Sequence, residues 1–288
     1  MRLLLTGASG YLGGFIAARA RAEGTALTVL GRKAPDSGGW LRFDLDAPPS
    51  ALPAADALVH AAFSHVPGRY RGGEGDDADG FVRRNRDGSA RLFDAAQAAG
   101  IGRVVFLSSR AVYGPRPPGT RLREDDALAP DTLYGRMKAD TEADLHARAT
   151  PGFTPSSLRI TGVYGQAVPG TPHKWADLLS DFAAGRPIAP RIATEVHGAD
   201  MAAGLWAVLT APPGQVTGRA FNLSDLMLDR HELLSLYADL HGIPHAPPDR
   251  APGPPPNEMA CDSLAALGWQ PGGLPRLRAT LAALPPGG

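Results

Sequence analysis

Through the first half of the chain, short apolar runs alternate with longer stretches in which apolar residues recur at helical spacing. That alternation predicts parallel strands joined by helices. Strands are predicted at 2–5, 27–30, 41–43, 57–60, 104–107 and 157–160, and helices at 11–23, 80–99 and 132–148. Gly24 and Gly100 directly follow two of these helices, where a residue free to turn left-handed ends a helix at little cost. The expected class is α/β, a doubly wound parallel sheet. The glycine-rich stretch 67–79 has no apolar period and predicts a mobile loop, and 114–120 a second, proline-rich one. Beyond about Gly162 the pattern loosens into short helices, a strand at 220–223 and a proline-rich stretch at 245–256. Residues 1–162 are therefore assigned to the sheet domain, and 163–288 mainly to a smaller lobe interleaved with it.

At 288 residues and 43% hydrophobic content the chain can fill one large domain, or a domain with a small lobe. Lysine plus arginine balances aspartate plus glutamate at 29 each, which removes the electrostatic case for nucleic acid or an anionic membrane as partner. A small molecule is the default ligand. The one cysteine, Cys261, allows no internal disulfide, and no metal site is suggested. The apolar run after Arg2 is too short for a signal peptide, and no segment reaches ~18 uninterrupted apolar residues. A soluble, cytoplasmic protein is expected.

Two motifs carry chemistry. TGASGYLG, from Thr6 to Gly13, lies between the first strand and the first helix. Gly7, Gly10 and Gly13 allow a sharp turn and close backbone approach, and the helix start at Tyr11 and Leu12 offers free amides and a dipole to a pyrophosphate. The bland alternative is an ordinary glycine-rich turn. In this context a dinucleotide-binding turn is the stronger reading, which makes 1–162 a dinucleotide-binding domain. About 20 residues on, where an acid would hold the ribose hydroxyls of NAD, the chain reads Gly31-Arg32-Lys33. Two cations and no carboxylate suit a 2′-phosphate, so NADP(H) is expected over NAD(H), with NAD(H) still possible. Solvated loop charge is the competing account.

The second motif is Tyr134-Gly-Arg-Met-Lys138, in a helical segment that puts both side chains on one face. A tyrosine titrates near pH 10 alone, and a neighbouring ammonium lowers that by roughly 1 to 3 units, which makes it a usable acid or base. By itself such a pair is commonly a surface feature. Ser108-Ser109 give it context, because they follow a strand at the sheet's ligand-binding end, where a hydroxyl can bond a reacting oxygen. A turn or helix cap is the alternative for the serines.

Together these residues resemble the extended short-chain dehydrogenase/reductase family, the NAD(P)-dependent epimerase/dehydratase-like group. The likeness extends over nearly the whole chain: Asp44-Leu45, Val59-His60-Ala61-Ala62, Asn85, Ser108 to Gly114, Leu158-Arg159, Val163-Tyr164-Gly165, Val196-His197-x-x-Asp200 and Leu267-Gly268-Trp269-x-Pro271. The resemblance implies a Rossmann-type fold with a catalytic Ser109, Tyr134 and Lys138. Ser109 is chosen because it stands three residues before Val112. By the same matching Asp44 and Leu45 meet the adenine, Ala61 and Ala62 line the dinucleotide, Asn85 supports the site, and Lys138 also holds the nicotinamide ribose. His60, ending an apolar strand, reads as structural. Ser64 and His65 are placed at the substrate pocket. A homodimer is common among relatives.

Departures from the family narrow the chemistry. Sugar 4,6-dehydratases carry an Asp-Glu pair where this chain has Arg110 and Ala111, so dehydration is not expected. The diphosphate-holding asparagine and arginine of nucleotide-sugar enzymes correspond to Gly162 and Ala193, with Arg191 or His173-Lys174 as possible substitutes. The expectation is thus an NADP(H)-dependent oxidoreductase acting on a carbonyl or secondary alcohol of a small or sugar-like substrate. A nucleotide-sugar epimerase with retained NAD is the runner-up. A non-catalytic NADP-sensing regulator is the reading from another class, and it would have no use for the Ser-Tyr-Lys set.

Overall fold

Leu3, Leu4 and Leu5 show how the architecture arises. All three are essentially without solvent exposure, and they alternate in direction: Leu3 and Leu5 enter one apolar cluster, Leu4 another. A strand buried on both faces belongs inside a parallel sheet covered by helices on each side. In the computed structural model, which describes residues 1–66, 69, 72–167, 171 and 173–285, that is what forms.

The strands in chain order are β1 (Arg2–Thr6), β2 (Ala26–Gly31), β3 (Gly39–Arg42), β4 (Ala57–His60), β5 (Arg103–Ser109), β6 (Thr154–Ile160), β7 (Gly162–Tyr164), β8 (Ile192–His197), β9 (Arg219–Leu223) and β10 (Leu226–Asp229). Seven of them make one sheet, ordered β3-β2-β1-β4-β5-β6-β9 and parallel throughout. This is a Rossmann-type sheet. The order reverses between β1 and β4, which opens a crevice at their carboxyl ends. A three-stranded sheet, β10-β8-β7, stands apart from it.

The helix Tyr11–Ala22 buries Phe15, Ile16, Ala17 and Ala20 on the Leu3/Leu5 face, each large side chain contributing about 1.5–3 kcal/mol. Leu92, Phe93 and Leu145 cover the other face, together with Val104 and Phe106 from β5. The predicted helix at 80–99 is interrupted: Ala78–Val82 runs into a π turn at Arg83–Asp87 and then into Gly88–Ala98. Gly88 allows the helix to touch the strand-end backbone, since a Cβ there would lie 2.2 Å from the Leu45 carbonyl oxygen.

Residues after 163 divide between two layers. β9 completes the main sheet, and Trp269 packs into its core while donating to the Asp200 carbonyl at 2.8 Å. Tyr164, Trp175, Leu179, Phe182, Leu234, Tyr237 and Leu277 instead form a separate cluster beside the small sheet. The sequence pattern missed β7, β8 and β10, because runs of three to six residues with mixed polarity carry no clear period. Pro67, Gly68, Tyr70 and Arg71 of the predicted 67–79 loop lie outside the described residues, whereas 72–76 form turns. No helix among the described residues is long and apolar enough to cross a membrane.

Candidate active site

The glycine turn sits at the sheet's switch point. Gly7 has φ +72°, and a Cβ on it would lie 2.6 Å from the Ala61 carbonyl carbon and 2.7 Å from the Ala62 amide. Two backbones therefore meet with no side chain between them. Gly10 caps the helix Tyr11–Ala22 in an extended conformation without a side-chain acceptor, and no acid occupies the first turn. Those amides and the helix dipole suit an external anion, so the residues present fit a dinucleotide pyrophosphate. Leu12 is half-buried against the core, and Tyr11 donates its hydroxyl to the Gly165 carbonyl at 2.5 Å, tying the turn to the end of β7.

A buried relay fixes this crevice. The Thr6 hydroxyl accepts from the Ala61 and Ala62 amides at 3.1 and 3.0 Å, so its single proton goes to His60 Nδ1 at 2.7 Å. The His60 proton must then be on Nε2, which donates to Ser89 Oγ at 2.8 Å, and the Ser89 hydroxyl donates to the Asn85 carbonyl. Burial first, and the charge of Lys138 second, push His60 from 6.5 down to about 3. It is a neutral structural residue. As pH falls from 6.5 toward 3 only the unfolded chain takes up this proton, so stability is lost in that window at up to about 1.4 kcal/mol per pH unit. The stability advantage of the native protein over His60→Gln should therefore shrink as unfolding is measured from pH 6.5 to 4.5; an advantage that stays constant would contradict the neutral assignment.

Asn85, in the π turn, grips the strand-end loop. Its Oδ1 accepts the Ser64 amide at 2.7 Å, while Nδ2 donates to the Ser64 carbonyl at 2.7 Å and to the Phe81 carbonyl at 3.0 Å. Phe63 and His65, on either side of Ser64, stack at 5.0 Å. Asn85 thus positions the loop through its backbone.

The helix Leu133–Ala147 carries the acid/base pair. Thr132 caps it by accepting the Gly135 amide at 3.0 Å. Gly135 lets the helix start press on the segment after Ser109: a Cβ there would lie 2.5 Å from the Ala111 carbonyl oxygen. Lys138 is buried, and its Nζ donates to the Leu107 carbonyl at 2.7 Å. It lies 4.5 Å from the Phe106 ring centroid, 5.1 Å from Phe63 and 6.0 Å from Tyr134. Burial pulls Lys138 down to about 7, against the carbonyl and the aromatic faces, which favour the charged form. The half-buried Tyr134 ring meets Phe63 edge-on at 5.2 Å. Of the two serines, Ser108 is buried, whereas Ser109 is half-buried and accepts the Ala111 amide at 3.2 Å, which leaves its proton to donate.

Other expected residues are placed less directly. Arg32 and Lys33 are exposed beyond β2, and neither takes part in an ion pair among the described residues. Asp44 accepts the Asp46 amide at 3.1 Å, while Leu45 is a core side chain whose carbonyl takes the Arg91 guanidinium at 3.3 Å. His173 is buried against the Gly165 and Trp175 amides, whereas Lys174 and Arg191 line a separate pocket. Phe63, which joins Tyr134 to Lys138, and Ser89 have no signature in spacing. Their roles appear only through contacts.

A glycine turn at the switch point of a parallel sheet, with a Tyr/Lys helix beside the end of β5, defines the class of Rossmann-type dinucleotide enzymes. The chain belongs to the NAD dependent epimerase/dehydratase family, of the extended short-chain dehydrogenase/reductase type, whose model matches residues 3–224. It is 33% identical over 181 residues to dTDP-6-deoxy-L-talose 4-dehydrogenase (NAD(P)(+)) of Kitasatospora kifunensis, covering 59% of this chain and 54% of that protein. It is 35% identical over 192 residues to dTDP-glucose 4,6-dehydratase of Streptomyces niveus (57% and 54% covered), and 31% identical over 217 residues to D-erythronate dehydrogenase of Cupriavidus necator (66% of each). The chain spans about half the length of the first two of these relatives. Among solved structures, UDP-glucose 4-epimerase of Thermotoga maritima with UDP-glucose matches at TM-score 0.77 over 98% of this chain and 96% of that one, with 17% identity. That likeness is one of fold.

Proposed function

We propose that the chain is an NADP(H)-dependent oxidoreductase that interconverts a carbonyl and a secondary alcohol on a small or sugar-like substrate through Ser109, Tyr134 and Lys138. The observation that carries this reading is the anchoring of Lys138 Nζ on the Leu107 carbonyl at 2.7 Å, two residues before Ser109 and on the helix that bears Tyr134. When bound, the nicotinamide supplies the hydride donor or acceptor. Ser109 donates a hydrogen bond to the reacting oxygen. Tyr134 gives that oxygen a proton in reduction and takes one in oxidation, with the Lys138 ammonium favouring the phenolate. Phe63, next to the Ser64 backbone that Asn85 holds, packs against both Tyr134 and Lys138.

Gly7, Gly10, Tyr11, Leu12 and Gly13 would hold the pyrophosphate, Ala61 and Ala62 the path between the strands, and Asp44 with Leu45 the adenine end. Ser64 and His65 face the substrate, and residues 163–288 mainly supply its side of the cleft. Dehydration has no support from the side chains: Arg110 is turned to the Asn257 carbonyl at 2.8 Å, and Ala111 has no acid to offer. The relatives include dehydratases, so the distinction rests on these two positions.

Arg32 and Lys33 favour NADP(H), and the NAD(P)(+) in the name of the Kitasatospora relative is compatible with either cofactor. NADPH should bind about tenfold or more tightly than NADH, and Arg32→Ala with Lys33→Ala should remove most of that difference. Tighter binding of NADH would overturn the preference. A screen of carbonyl compounds with NADPH, read by absorbance of the reduced ring, tests the reaction. Consumption of external cofactor is expected, whereas epimerisation without net consumption would favour the retained-NAD alternative.

A further inference from the structure

At the end of the main sheet, β3 carries two exposed side chains that the core does not use. Leu41 and, just beyond the strand, Phe43 pack into the cluster around Leu4 and Leu30, so Trp40 and Arg42 stand on the opposite face, the one the helix Tyr11–Ala22 covers. Trp40 is 40% exposed, and Arg42 is exposed as well. Opposite them on β2 lie Val29 and Gly31. A Cβ on Gly31 would meet nothing closer than the Lys33 carbonyl oxygen at 3.7 Å, so the surface beside Arg42 is bare backbone. This bare patch adjoins the dinucleotide turn: the preceding residue, Leu30, pairs with Thr6, where the turn begins.

The Gly31 carbonyl is held twice. The Phe43 amide and Trp40 Nε1 both donate to it, each at 3.1 Å. Both donors come from the β3 side, so the Arg32 N–H of the same trans peptide points the other way, toward β1 and the turn. That amide has no hydrogen-bond partner among the described residues. Glycine makes this peptide easy to turn over, and a reversed one would offer a carbonyl oxygen, which repels a phosphate, where the amide now stands. The carboxylates nearest in the chain are Asp36 and Asp44. Neither is ion-paired with Arg32, Lys33 or Arg42, and Asp44 Oδ1 takes the Asp46 amide at 3.1 Å.

We infer that Arg42 and Trp40 set the cofactor specificity of this chain: Arg42 is a third cation for the 2′-phosphate of NADP(H), and Trp40 is a positioning residue that keeps the Arg32 amide turned toward it. The inference rests on the proposed NADP(H) preference and adds to it two residues from a different strand. A guanidinium across a side-chain-free strand end can take two oxygens of a phosphate monoester at once. Trp40 acts through one hydrogen bond. An indole that merely covered Val29 would serve a ribose with or without the phosphate equally, and this difference separates a positioning role from a structural one.

The test titrates the full chain by calorimetry with 2′,5′-ADP and 5′-AMP, which share the adenosine and the 5′-phosphate and differ in the 2′-phosphate. No substrate or turnover is needed. The native chain should bind 2′,5′-ADP about tenfold or more tightly than 5′-AMP. Arg42→Gln should cut that ratio by about fivefold or more, and Trp40→Phe, which keeps a ring and removes the donor, by about threefold, with 5′-AMP affinity unchanged in both. An unchanged ratio in either variant, or an equal loss of both probes, would overturn the inference while leaving Arg32 and Lys33 in their proposed role. A native chain that binds the two probes alike would instead remove the NADP(H) preference, and this site with it.

Discussion

Replacing Tyr134 by phenylalanine is expected to lower turnover by about a thousandfold while NADPH affinity stays within a factor of about two. The expected loss is large because the proposed mechanism assigns proton exchange with the reacting oxygen to the phenol. The ring itself is kept, so its edge contact with Phe63 at 5.2 Å and the burial of Lys138 beside it survive the change. The proposed pyrophosphate site on the glycine turn is untouched by the change. Steady-state kinetics with a titration of NADPH on the same preparation decides the matter. A fully active variant would remove Tyr134 from the mechanism, and a variant that loses cofactor affinity in step with activity would make it a binding residue.

Gly13→Val is expected to reduce dinucleotide affinity by about a hundredfold or more, with a fall in unfolding free energy of about 1–3 kcal/mol. A Cβ at this position would lie 2.0 Å from the Gly7 carbonyl oxygen and 2.7 Å from Ala8 Cα. Both are backbone atoms, so relief comes only by moving the helix start away from the turn, which also moves its amides away from the pyrophosphate. Gly152→Ala, where a Cβ would meet nothing within 4 Å, is the control and should be neutral in both assays. Native affinity in Gly13→Val would show that the turn does not hold the dinucleotide.

The sheet and the turn were legible in the sequence because each rests on a local pattern. The Leu3 to Leu5 run announces a strand buried on both faces, and Gly7, Gly10 and Gly13 announce a backbone that must come close to something. Tyr134 and Lys138 were legible as one helix face. What spacing does not record is partnership across the fold. The pairing of Thr6 with His60, and of His60 with Ser89, joins residues far apart in the chain. At the π turn around Asn85, the Asn85 side chain holds the Ser64 backbone, a partner 21 residues away in the chain. The small sheet was hidden for a different reason. β7 and β8 place Gly162, Thr194 and Glu195 among apolar neighbours, which blurs any alternation, and their strand character comes from pairing.

The central claim is spatial: the Tyr134 phenol and the Ser109 hydroxyl border the place where the nicotinamide reacts. A crystal structure of the chain with NADP⁺ tests it most directly. The account predicts the pyrophosphate on the Gly7 to Gly13 turn, the 2′-phosphate at Arg32 and Lys33, and the nicotinamide ring in contact with Tyr134. A ring lying where not even one water could bridge it to the phenol would contradict the account.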